Sequence, residues 1–94
     1  MKRIRILLAD DHAVVRQGFR MLLSAQADLE IVGEAGNGRE AVELAASLRP
    51  DVVVMDVTMP ELNGIEATRR LTAENPHIRV VALSIDVYKR QVPG

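Results

Sequence analysis

The order of apolar segments predicts an α/β domain built on a doubly wound parallel sheet. Short apolar runs rich in β-branched residues lie at 4–9, 52–55 and 80–83, and stretches with helical spacing lie between them. Runs that are nearly continuous rather than alternating expect cover on both faces, which is the habit of parallel strands flanked by helices. Such strands are joined by right-handed crossovers, and these turn the element order into one open sheet.

Each element has its own local reason. The first strand, 4–9, is Ile-Arg-Ile-Leu-Leu-Ala and stops at Asp10-Asp11. Val15, Phe19, Leu22 and Leu23 then repeat at i, i+4, i+7 and i+8, the stripe of an amphipathic helix. Residues 29–35, Leu-Glu-Ile-Val-Gly-Glu-Ala, read as a strand that carries Glu30 and Glu34 on one face and suits a sheet edge. Asn37 with Glu40 and Asn63 with Glu66 have the N-cap and N3 spacing of a capping box, so helices are expected to begin near Gly38 and Gly64. Ala41, Leu44, Ala45 and Leu48 supply the apolar stripe of the second helix. Pro50 and Pro76 close the second and third helices, because each ring removes a donor and disfavours the α region for its predecessor. The expected order is strand, helix, strand, helix, strand, helix, strand.

Composition limits the functions available. The chain has 94 residues and contains no cysteine, which excludes a disulfide framework, a thiolate zinc site and a thiol nucleophile and fits a cytoplasmic setting. Twelve basic side chains against thirteen acidic ones leave a formal charge of −1, with no broad electrostatic footprint for nucleic acid or an anionic membrane. The apolar stretch at 6–9 is too short for the core of a signal peptide. No run approaches the ~18 apolar residues that read as a membrane span. The basic pairs Arg69-Arg70 and Lys89-Arg90 read as a solvated face, His12 as a surface or cap residue, and His77 as loop.

The chemistry concentrates at strand ends. In an open parallel sheet, ligands bind outside the carboxyl ends of the strands, near the point where strand order reverses. Here the first strand ends in Asp10-Asp11, the third in Asp56 and the fourth in Ser84. An acidic pair alone is often a helix cap, and a lone aspartate at a strand end is common. Neither role accounts for placing three carboxylates on one rim, where they repel one another unless a cation intervenes. Magnesium suits such oxygen ligands and keeps several waters, leaving room for a phosphoryl oxygen.

These segments, Leu7-Leu8-Ala9-Asp10-Asp11-His12, then the run 51–60 (Asp-Val-Val-Val-Met-Asp-Val-Thr-Met-Pro), then Gly64, then Val80-Val81-Ala82-Leu83-Ser84, closely resemble a response-regulator receiver domain of two-component systems. The opening Leu-Ala-Asp-Asp-His-Ala-Val-Val-Arg-Gln-Gly is similar to the subgroup with a C-terminal LuxR-type helix-turn-helix. The resemblance implies a flavodoxin-like sheet and a phosphoacceptor module rather than a turnover enzyme. By it, Asp56 accepts a phosphoryl group from a phosphohistidine on a sensor kinase. Asp11 ligates magnesium directly, Asp10 mainly through water, and the Thr58 backbone carbonyl adds a ligand. Ser84 is the switch hydroxyl, and Met59-Pro60 with Gly64 shape the loop after Asp56. Transcriptional control falls to a DNA-binding domain outside this chain.

The resemblance covers residues 1–84 as a partial receiver, with four strands and three helices. Residues 85–94 depart from the pattern and read as a tail foreign to the parent gene. The lysine that receivers place after a fifth strand has no counterpart: Lys2 is at the start and Lys89 follows Ser84 too closely, and Tyr88 does not match the switch aromatic. An uncovered fourth strand predicts either self-association through that strand, as in a homo-dimer, or partial unfolding of the isolated chain. Three other readings compete. In one, the chain is an inactive receiver fragment that serves only as an interaction module. A nucleotide-binding domain would use the Gly36-Asn37-Gly38 turn, but Asp10-Asp11 stands where a phosphate loop belongs. A metal-dependent phosphatase commonly needs an acid two residues after its nucleophile, where this chain has Thr58.

Overall fold

The computed structural model describes residues 2–56 and 64–83. The elements are β1 (Ile4–Ala9), α1 (Ala13–Ser24), β2 (Leu29–Ala35), α2 (Gly38–Leu48), β3 (Val52–Asp56), α3 (Gly64–Glu74) and β4 (Arg79–Leu83). All strand pairs are parallel and the sheet order is β2-β1-β3-β4. The chain leaves β1 toward one edge, then crosses back to the far side of β1 through α2. The strand order therefore reverses between β1 and β3; this is the doubly wound sheet that the apolar pattern predicts, in the flavodoxin-like order that the resemblance implies.

Burial follows strand parity. Leu7 and Ala9 of β1 pair with Val53 and Met55 of β3, and these side chains join Ala41 and Ala45 of α2 and Ala67 and Leu71 of α3 in the main core. The small alanines let both helices lie close to the sheet, and burying Leu7 or Leu71 contributes about 1.5–3 kcal/mol each. Ile6 and Leu8 point the other way, toward α1, and are also buried.

The capping predictions hold where they can be seen. Asn37 Oδ1 accepts from the Glu40 amide at 2.8 Å, and Glu40 Oε1 accepts from the Gly36 amide at 3.3 Å. This return bond reaches one residue further out than the usual capping box. The backbone of α2 ends at Leu48 with Arg49 in the left-handed region, at φ 49°, just before Pro50. Asn63 lies outside the described residues, as do Thr58, Met59, Pro60, Ser84 and 85–94.

One expectation about β2 is overturned. The β1–β2 register slips between Ile6 and Leu7, which pair with Ile31 and Gly33 and leave Val32 as an extra residue. Glu30 pairs with Arg5 and Glu34 with Leu8, so the two glutamates lie on opposite faces rather than one. The extra residue inverts the alternation, as a β-bulge does. Gly33 marks the place: a Cβ there would lie 2.7 Å from Leu48 Cδ1 of α2, so the missing side chain lets that helix approach.

Candidate acidic site at the switch point

The reversal between β1 and β3 brings their carboxyl ends together. Ala9 pairs with Met55, which places Asp10 and Asp56 side by side just beyond that pair. Asp56 is buried, 4% exposed, and Asp10 is nearly so at 9%. Asp11 projects further into solvent. Ligand atoms of Asp10, Asp11, His12 and Asp56 all lie within 4.8 Å of one another. The three aspartates predicted to share a rim therefore do so.

Local bonding shapes the loop after β1. The Asp10 amide donates to the Ala35 carbonyl at 3.0 Å, continuing the β1–β2 ladder one residue past the strand. Asp10 Oδ1 accepts from the His12 amide at 2.7 Å, the Asx-type turn that ends a strand and feeds a helix. His12 is the N-cap residue of α1, with φ −99° and ψ 104°, and its side chain makes no cap bond. A cap position was anticipated for His12, but the imidazole itself turns inward to the carboxylates. Its Nδ1 is 2.9 Å from Asp11 Oδ1, 3.1 Å from Asp10 Oδ1 and 3.6 Å from Asp56 Oδ2. The hydrogen bond to Asp10 raises the imidazole above the ordinary value of 6.5; partial desolvation opposes this, and the charges of Asp11, Asp10 and Asp56 add to it.

The residues alone give Arg16 and Glu34 no role at the site, yet both serve this loop. Arg16 Nε donates to Glu34 Oε1 at 3.1 Å and its Nη1 donates to the Asp10 carbonyl at 2.6 Å. Glu34 Oε2 also lies 3.1 Å from Arg20 Nη1. The one signal available was Gly33, since a glycine inside a strand pattern marks a bulge and so a change of face for Glu34. Beneath the rim lies a cavity of about 20 Å³, lined by Asp10, Arg16 and Asp56 with apolar Leu8, Phe19 and Val54. That is room for about one water.

A set of three carboxylates fits a hard divalent cation. The His12 Nδ1 atom lies within 3.6 Å of an oxygen of each, so the imidazole takes the place between the three carboxylates. No helix among the described residues is long and apolar enough to cross a membrane.

A doubly wound parallel sheet with an acidic rim at its switch point defines an α/β domain of the flavodoxin-like class. The chain belongs to the response regulator receiver domain family, whose model matches residues 6–92. It is 48% identical over 85 residues to the transcriptional regulatory protein LiaR of Bacillus subtilis (strain 168), a match that covers 88% of this chain and 40% of that protein. Among solved structures, the response regulator domain of Thermotoga maritima CheB superposes with a TM-score of 0.85 at 42% identity, covering 88% of this chain and 61% of that one. A LuxR-family two-component response regulator from Aurantimonas sp. SI85-9A1 gives 0.83 at 38% identity, covering 88% and 59%. The chain spans about two fifths of the length of the curated relatives it matches, 38–40% for LiaR and a second Bacillus subtilis regulator, YxjL.

Proposed function

We propose that this receiver domain accepts a phosphoryl group on Asp56 from the phosphohistidine of a sensor histidine kinase, in a magnesium-dependent reaction. The observation that carries the proposal is the buried Asp56 carboxylate on one rim with Asp10 and Asp11. An Asp56 carboxylate oxygen attacks phosphorus, the P–N bond to the kinase imidazole breaks, and that imidazole leaves with the bonding electron pair and takes a proton. The product is an aspartyl phosphate. Positioning and charge neutralisation, rather than covalent assistance, govern such transfers. Asp10, Asp11 and Asp56, with the Thr58 carbonyl, would hold the magnesium ion. When bound, it neutralises charge on the carboxylates and the incoming phosphoryl oxygens. The chain's own residues hold Asp56 in place at the end of β3 and shield it from bulk water, and Ser84 serves as the switch hydroxyl.

The similarity to LiaR, a transcriptional regulatory protein, supports a role in transcriptional control from the cytoplasm, exerted through a DNA-binding domain beyond residues 1–84. In the described sheet β4 is an edge strand and Val81 on it is 47% exposed, which supports self-association through that edge. Light scattering tests this: a sharp monomer across the micromolar range counts against it.

Intact mass after incubation with a small phosphodonor, with and without magnesium, tests the acceptor. The expected result is one magnesium-dependent phosphoryl group on the wild-type chain and none on Asp56→Asn. Full labelling of Asp56→Asn would end the assignment.

A further inference from the structure

We infer that Arg16, held in place by Glu34, is a positioning residue that sets the direction of the Asp10 and Asp11 carboxylates by gripping the main-chain carbonyl between them. This rests on the reading of the acidic rim as a magnesium site. Arg16 lies in the first turn of α1, where its own amide makes the helix's opening bond to the His12 carbonyl at 2.9 Å, so its side chain reaches back over the loop. The guanidinium bridges two partners on different elements, Glu34 of β2 through Nε and the Asp10 carbonyl through Nη1. It is only 24% exposed, and Glu34 only 27%.

The peptide plane that carries the Asp10 carbonyl also carries the Asp11 amide. Fixing that carbonyl fixes ψ of Asp10 and φ of Asp11, and so the direction in which the Asp11 side chain leaves the backbone. The other end of Asp10 is held by its amide bond to the Ala35 carbonyl, and its carboxylate by the His12 amide. Without Arg16, the Asp10–Asp11 peptide is the part of this turn left to rotate. A planar fork aimed at a carboxylate and a carbonyl at once is an arginine property, since an ammonium is a point charge. The pairing of Glu34 with Leu8 belongs to the same device, because it faces Glu34 toward α1 within reach of Arg16.

The test is a magnesium titration of the full chain, followed by the amide resonances of Asp11 and His12, with thermal melting in parallel. Arg16→Ala is expected to weaken magnesium binding about tenfold, the size seen when groups that orient metal ligands are removed. Arg16→Lys guards against a folding defect, and retains the melting temperature while losing several-fold in affinity. Ile78→Ala, which trims a buried side chain just before β4, at the end of the sheet opposite the acidic rim, lowers the melting temperature without moving the magnesium affinity. If both Arg16 variants bind magnesium as the wild type does, Arg16 is a structural ion-pair partner only and the inference is overturned, while the metal site stands. If the folded wild type shows no magnesium-dependent shift, or Asp11→Asn binds as tightly as wild type, the metal site itself fails and takes this inference with it.

Discussion

The two faces of the sheet are built differently. Toward α2 and α3, Leu7, Val53, Met55, Ala67 and Leu71 are fully buried in one cluster. Toward α1, no residue of the helix is buried, and Val14, Met21 and Leu22 are 83%, 69% and 69% exposed. A groove of about 340 Å³ runs along that helix between Val14 and Leu22. Yet α1 is the helix that supplies Arg16 to the acidic loop, with His12 at its cap. Packing energy is concentrated on one side, and the groups that shape the site on the other. The lesson is that α1 joins the sheet through half-buried Val15, Phe19 and Leu23 and through the Arg16 and Arg20 pairs with Glu34, not through fully buried side chains.

Substitutions on the two sides test this contrast. The largest effect is expected from Leu71→Ala, which removes a fully buried side chain from the α2/α3 cluster and should cost about 2–5 kcal/mol by urea denaturation. A loss below about 1 kcal/mol would mean that the cluster is not the main source of stability. Next comes Asn37→Ala, which leaves the Glu40 amide without its cap and should cost about 1 kcal/mol. Leu22→Ser, on the exposed side of α1, should change stability by less than about 0.5 kcal/mol. A much larger loss there would show that the α1 face carries packing energy after all.

The smallest effect concerns pH. With its pKa raised by the bond to Asp10 and by the neighbouring carboxylates, His12 binds its proton more tightly in the folded chain than in the unfolded one. The stability it contributes is present below the unfolded value, about 6.5, and fades as pH rises through the folded value. In magnesium-free buffer the urea midpoint should therefore fall slightly as pH rises through that window, and His12→Gln should flatten the slope. Identical profiles for the two chains would refute the linkage.

Much of this arrangement was legible in the residues. The strands at 4–9 and 29–35 match β1 and β2, while β3 and β4 each run one residue beyond the apolar runs that announced them. The reason is that backbone pairing does not end where hydrophobicity does: Asp56 still pairs with Leu83, and Arg79 with Val52. The acidic rim was legible because strand ends at a switch point converge by topology alone. Three features were not. The opposite facing of Glu30 and Glu34 depends on a register slip, which polarity does not encode. The inward turn of His12 depends on the field of three carboxylates that meet only in the folded chain. The grip of Arg16 on a main-chain carbonyl leaves no trace in side-chain chemistry.

The slip at Val32 has a further consequence. In that stretch β2 holds one residue more than β1 requires, and the surplus is absorbed on the spot instead of being passed along the strand. Residues on either side keep the orientations they would have without it. Val32 is therefore a place where chain length can drift by one over evolutionary time at little cost: a descendant lacking it would present the same glutamate to the same arginine, and the same bare glycine to the same leucine.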